Sequence, residues 1–183
     1  MIETYRVEVG GVARDLRLFE VAKGVRIAIL NILGDTEFVQ AASHELKKKL
    51  EGKDFVAFVT AASKSIPLIH QLSVDMGKKS YVVLRKDYKS YMGDALMAET
   101  VSITTGTKQV LYLDEKDRAL IDGQSVIIVD DVISTGSTLE GMRQILHKAN
   151  ATIAAEAAIF TEGDASKWEH IIALGNLPVW VDE

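Results

Sequence analysis

A parallel β-sheet covered by helices on both faces is the fold class this sequence predicts, and three observations predict it. Short apolar runs alternate along the chain with longer segments whose apolar residues recur at helical spacing. The runs at 55–59 and 126–129 are apolar throughout, as strands buried on both faces require. No repeat, charge block or Gly/Ser linker divides the 183 residues, and the two prolines, Pro67 and Pro178, mark no seam. One α/β domain over 1–183 is therefore expected.

Each element has a local reason. Residues 4–9 and 12–19 alternate apolar with polar side chains around Gly10-Gly11, a pair that tolerates the positive φ of a tight hairpin turn. Asp35 stands as the N-cap of a helix reaching Leu50, with Phe38, Val39, Ala42, Leu46 and Leu50 on one face and lysines in its last turn. A strand at 55–59, a helix at 66–76 stopped by Gly77, and a strand at 80–84 follow. A strand at 125–129, a helix at 139–149, a strand at 153–160 and a C-terminal helix containing His170 complete the order. In such sheets ligands collect beyond the carboxyl ends of the strands.

Composition removes several function classes. With no cysteine, disulfides, thiolate catalysis and cysteine-ligated zinc are excluded. A net charge of −5 argues against a nucleic-acid surface, which needs a basic excess to displace phosphate counterions. No apolar run is long enough to cross a bilayer, and Glu3 and Glu8 stand where a secretory leader would be basic and then apolar. The expectation is a cytoplasmic protein with neither nucleic acid nor membrane as partner.

The most informative segment is 126–138, Val-Ile-Ile-Val-Asp-Asp-Val-Ile-Ser-Thr-Gly-Ser-Thr. A buried strand runs into two acids and then into a small, hydroxyl-rich loop that opens a helix. Ser134, Thr135, Ser137 and Thr138 offer hydroxyl donors, Gly136 lets the backbone come close, and the free N–H groups of a helix start favour a phosphate dianion. Carboxylates facing that phosphate would repel it. Asp130 and Asp131 are better suited to accept from neutral vicinal hydroxyls or to help hold a hydrated divalent cation. A ribose 5-phosphate presents both needs. A Walker-type loop fits poorly, because the lysine after its second glycine is missing, and N-capping alone leaves both acids unexplained.

This uninterrupted run resembles the phosphoribosyl diphosphate signature of the class I phosphoribosyltransferases. The resemblance implies that family's fold, with Asp130 and Asp131 as catalytic acids that bind the ribose hydroxyls and serve Mg2+ indirectly. It assigns Ser134, Thr135, Gly136, Ser137 and Thr138 to the 5-phosphate. The loop Thr60-Ala61-Ala62-Ser63-Lys64-Ser65 resembles the family's pyrophosphate-binding loop, which assigns Ala62, Ser63 and Lys64 to substrate; a solvated Lys64 stays open. Some members carry an acid, a small residue, Lys or Arg, and Gly there. This chain has Ala61 or Ala62 in the acid's place and Ser65 in the glycine's.

Arg85-Lys86 is similar to a basic pair that precedes a mobile loop in the family. By that resemblance Lys86 is catalytic, Arg85, Lys89 and Tyr91 bind substrate, and Lys108 arrives on the loop's return arm. Residues 87–106 are then expected to close over the reaction; a permanent hairpin pairing 101–104 with 110–113 around Gly106 is the alternative.

The base is expected under a small hood contributed by 1–34 and 160–183, with Phe160 stacking on it and Glu162 either accepting from an amino group or merely capping. Residues 159–164 and Leu177-Pro178-Val179-Trp180 look most like bacterial proteins related to adenine phosphoribosyltransferase. The resemblance implies a homodimeric purine phosphoribosyltransferase that uses Mg2+, phosphoribosyl diphosphate and adenine, with xanthine or hypoxanthine–guanine as alternative bases. Some transcription regulators keep this fold and bind phosphoribosyl diphosphate without catalysis, but the roughly thirty residues before the first predicted helix are too few for their winged-helix domain. His44, His70, His147 and His170 lack the paired spacing of a metal site, and no Gly-x-Ser-x-Gly element suggests a hydrolase.

Overall fold

The chain begins as a meander. β1 (Thr4–Val9) turns at Gly10 and Gly11, both at positive φ, into β2 (Val12–Ala22), and β3 (Val25–Ile29) returns antiparallel beside it. Val7, Val9, Leu16 and Ala28 are buried, whereas Phe19 and Ile29 on the other face are exposed, the alternation of a sheet with one solvated side. The computed structural model describes residues 3–101 and 108–182.

α1 (Thr36–Leu50) starts at the predicted N-cap. Asp35 accepts from the Phe38 N–H at 3.2 Å, and its two oxygens also accept from the Arg14 guanidinium of β2 at 2.7 and 2.9 Å. One acid thus caps the helix and ties it to the meander, and Arg14 holds that carboxyl below the usual range through hydrogen bonding.

The order continues with β4 (Ala57–Ala61), α2 (Ile66–Asp75), β5 (Tyr81–Leu84), β6 (Leu96–Val101), β7 (Lys108–Leu113) and α3 (Glu115–Ile121). It ends with β8 (Ser125–Ile133), α4 (Ser137–Lys148), β9 (Thr152–Glu162), β10 (Ile172–Leu177) and β11 (Val179–Val181). Five strands lie parallel in the order β10-β9-β8-β4-β5, β6 pairs antiparallel with β7, and β11 closes the N-terminal sheet by pairing with β3.

The predicted α/β architecture is present, and β8 shows why its sequence is apolar throughout. Ile127 and Val129 enter one core with Phe38, Leu46, Phe58 and Leu68, while Val126 and Ile128 enter the other with Val82, Leu113, Met142 and Ile145. Side chains of this size contribute about 1.5–3 kcal/mol each when fully buried.

Several expectations shift. The strand expected at 55–59 is displaced to Ala57–Ala61, because pairing with β5 and β8 sets its register while Phe55 fills the core ahead of it. His170 lies in a turn and not in a helix: the Ile171 N–H donates to the Trp168 carbonyl at 2.9 Å, and β10 then takes the free edge of β9. β6 and β7 form a hairpin in register from Leu96↔Leu113 to Val101↔Lys108, seated on α4 by Ala98 and Leu111, and Met92 is fully buried within the preceding stretch. The expected turn at Gly106 lies outside the described residues.

Candidate active site

β8 runs extended through Asp130 and Asp131 to Ile133, so the loop of Ser134, Thr135 and Gly136 emerges at its carboxyl end and α4 begins at Ser137. Together with Asp130 these residues line a depression of about 40 Å³. The Thr135 and Ser137 hydroxyls lie 3.1 Å apart, and Thr138 donates to the Gln109 amide oxygen at 3.3 Å, which ties the cradle to the hairpin.

Gly136 has φ +80°, and a Cβ there would stand 2.8 Å from Cη2 of Trp168. The indole is anchored by its own N–H, which donates to the Glu162 carbonyl at 3.3 Å. Two independent reasons, a left-handed backbone and a ring against its back, therefore require glycine. Trp168 carried no signal in the sequence, since it is distant from the cradle along the chain and comes near only through the turn after β9.

The two acids meet a residue from another strand end. Ser65, buried at the start of α2, places its hydroxyl oxygen 2.8 Å from Asp130 Oδ1 and 3.2 Å from Asp131 Oδ1, and Asp130 Oδ1 also accepts from the Asp131 N–H at 2.9 Å. Asp131 is 7 % exposed and Asp130 is half-buried. Burial, and next the neighbouring Asp131 charge, push the Asp130 carboxyl up to about 7. Lys64, on the exposed part of the same loop, keeps its ammonium 4.0 Å from Asp131 Oδ2. The Ala62 N–H donates to the Leu84 carbonyl at 2.8 Å, so the loop is fastened to the end of β5.

Arg85 follows β5 and exchanges backbone hydrogen bonds with Tyr112 at 2.9 and 2.8 Å, and the side chains of Arg85, Lys86 and Lys89 are exposed. Among the described residues none of these three cations is in an ion pair. The other proposed contacts are placed differently. Tyr91 lines a separate depression with Gly93, Asp114, Glu115 and Lys116, and Lys108 pairs with Glu99 at 2.7 Å. Phe160, the residue expected to stack on the base, is 5 % exposed, and its ring occupies the space beside Gly175 on β10. Glu162, two residues on, is half-buried, and burial raises its carboxyl. Gly163 faces Val179 of β11, where the N-terminal sheet meets the end of β9.

Among the described residues no group of three or more His, Cys, Asp or Glu is placed to hold a metal ion. The donors do suit Mg2+ in another way. That ion keeps several waters and takes only one or two carboxylates besides substrate phosphates, and Asp130 and Asp131 offer hard oxygen donors beside the hydroxyl-lined depression.

Comparison with known proteins fits this geometry. The model of the phosphoribosyl transferase domain matches residues 30–173. The purine biosynthesis transcriptional activator PurR of Lactococcus lactis subsp. lactis is 27% identical over 143 residues, 78% of this chain and 51% of that protein. The hypoxanthine/guanine phosphoribosyltransferase of Methanocaldococcus vulcanius is 33% identical over 109 residues, 60% of this chain and 55% of that one. The chain thus spans about half the length of these curated relatives. Among solved structures, adenine phosphoribosyltransferase from Thermoanaerobacter pseudethanolicus superimposes with a TM-score of 0.73 at 20% identity, covering 88% of this chain and 95% of that one.

Proposed function

The chain belongs to the phosphoribosyl transferase domain family, and on that premise we propose that it is a purine phosphoribosyltransferase making AMP and pyrophosphate from adenine and phosphoribosyl diphosphate. One observation carries the reading: an acid pair, one member buried and one half-buried, and a glycine-hinged, hydroxyl-lined cradle share the end of β8, with a lysine-bearing loop alongside. Asp130 and Asp131 accept from the ribose hydroxyls, and Ser134, Thr135, Gly136, Ser137 and Thr138 hold the 5-phosphate, so the sugar is fixed at both ends before it reacts. Ala62, Ser63 and Lys64, with Arg85, Lys86 and Lys89, hold the pyrophosphate.

N9 of adenine attacks the anomeric carbon while the carbon–oxygen bond to pyrophosphate breaks. Pyrophosphate leaves with the bonding pair and N9 loses its proton. The cations oppose the charge that grows on the leaving group, which is where such stabilisation counts. Asp130 and Asp131 would hold Mg2+ together with the substrate's own oxygens, and the ion would offset the remaining phosphate charge. Glu162 faces the base and accepts from its amino group. The same reading expects a cytoplasmic protein and a homodimer, the latter checked by sedimentation.

The match to the Lactococcus activator favours a second reading, a domain that binds phosphoribosyl diphosphate as an effector. Pyrophosphate release with Mg2+, phosphoribosyl diphosphate and a panel of adenine, hypoxanthine, guanine, xanthine, uracil and orotate separates the two. Turnover fastest with adenine supports the proposal, turnover only with orotate or uracil refutes the purine assignment, and binding without turnover supports the effector reading.

A further inference from the structure

Ser65 occupies the N-cap position of α2, yet its hydroxyl makes no capping bond to that helix. It turns instead to the acid pair, 2.8 Å from Asp130 and 3.2 Å from Asp131, and is 1 % exposed. A serine at an N-cap ordinarily spends its oxygen on the first free N–H groups, so this one is directed elsewhere. Its backbone belongs to the loop that also carries Ala62, Ser63 and Lys64, while its side chain acts on residues of β8. It is the one hydrogen-bonded link between these two segments recorded among the described side chains.

We propose that Ser65 is a positioning residue that orients the carboxylates of Asp130 and Asp131 for the ribose hydroxyls, so that binding at the ribose end depends on a residue of the pyrophosphate loop. The inference rests on the reading given under Proposed function and deepens it. The hydroxyl has a single proton for two acceptors. At 2.8 Å it serves Asp130, and Asp130 in turn accepts the Asp131 N–H, so one donor fixes the rotation of a carboxylate that is already half fixed by the backbone. Without it, Asp130 keeps only the Asp131 N–H as a fix on its rotation, and Asp131 is left in a buried position with only the loose approach of Lys64 at 4.0 Å. A carboxylate that must be reoriented by its ligand binds that ligand more weakly, because the ordering cost falls on the binding step.

The test uses ribose 5-phosphate and Mg2+-pyrophosphate as separate probes, titrated calorimetrically against the full chain and Ser65→Ala. Loss of one hydrogen bond to a charged group predicts ribose 5-phosphate binding weaker by about tenfold or more, with pyrophosphate binding changed less than about twofold. A residue that merely shaped its own loop would do the reverse. Ser65→Gly, which also lacks the hydroxyl, reports the same contrast if Ser65→Ala does not fold. Unchanged ribose 5-phosphate binding, or equal loss for both probes, overturns the inference. Failure of the unmodified chain to bind ribose 5-phosphate overturns the underlying site reading as well, whereas selective loss in a chain that turns over no base leaves the inference standing and removes only the enzyme.

Discussion

Replacing Gly136 by alanine is expected to destabilise the cradle by two separable amounts. A non-glycine residue at φ +80° costs about 1–2 kcal/mol. The new methyl group would also lie 2.8 Å from Trp168 Cη2, well inside contact distance, and overpacking of that kind costs about 1–3 kcal/mol. The ring cannot simply swing away, because its N–H is bound to the Glu162 carbonyl. Trp168→Phe removes the offending atom and, by itself, costs about 0.5–1.5 kcal/mol for the lost hydrogen bond. In the double variant only the backbone share of the Gly136→Ala cost should remain, giving a coupling of about 1–3 kcal/mol in urea unfolding. Ribose 5-phosphate affinity should follow the same pattern. Effects that add within about 0.5 kcal/mol would refute the idea that Trp168 backs the cradle.

Other outcomes follow from the same geometry. Asp130→Asn with Asp131→Asn should weaken ribose 5-phosphate binding at least about tenfold in a folded chain, since amides accept more weakly than carboxylates; unchanged affinity would take the acids out of the site. Thr60 is fully buried and its hydroxyl has no partner among the described residues, so Thr60→Val should raise urea stability by about 1–2 kcal/mol, and a loss would mean that the hydroxyl is satisfied in solution. Asp130, pushed up to about 7, binds a proton in the folded chain at pH values where the unfolded chain has released it. Its contribution therefore falls as pH rises from about 4 to 7, and Asp130→Asn should flatten that part of the stability profile measured by urea titration.

The cradle was readable because its parts are contiguous: a strand, two acids, three loop residues and a helix start occupy a single stretch, and local rules assign each a use. Ser65 and Trp168 were not readable as site residues, because their roles depend on distances set by strand order and by a turn that no local pattern encodes. The packing of Phe160 was not readable either: its ring lies against Gly175 on a neighbouring strand, where an absent side chain leaves room in the core. The strand of Ile172–Leu177 was itself obscured by that glycine and by Asn176, both poor strand formers. Asn176 is nevertheless held there, accepting from Thr161 and donating to the Gly163 carbonyl.

The pairing of Val25–Ile29 with Val179–Val181 has a consequence for synthesis. A ribosome delivers the meander early and its closing strand much later, so during elongation the outer edge of β3 presents unpaired backbone groups from Val25 to Ile27 to whatever chain is nearest. Such an edge is a template for misassociation. Nascent chains stalled before Val179 should accordingly be the species most prone to aggregate and to recruit chaperones, and completion of three residues should end that exposure.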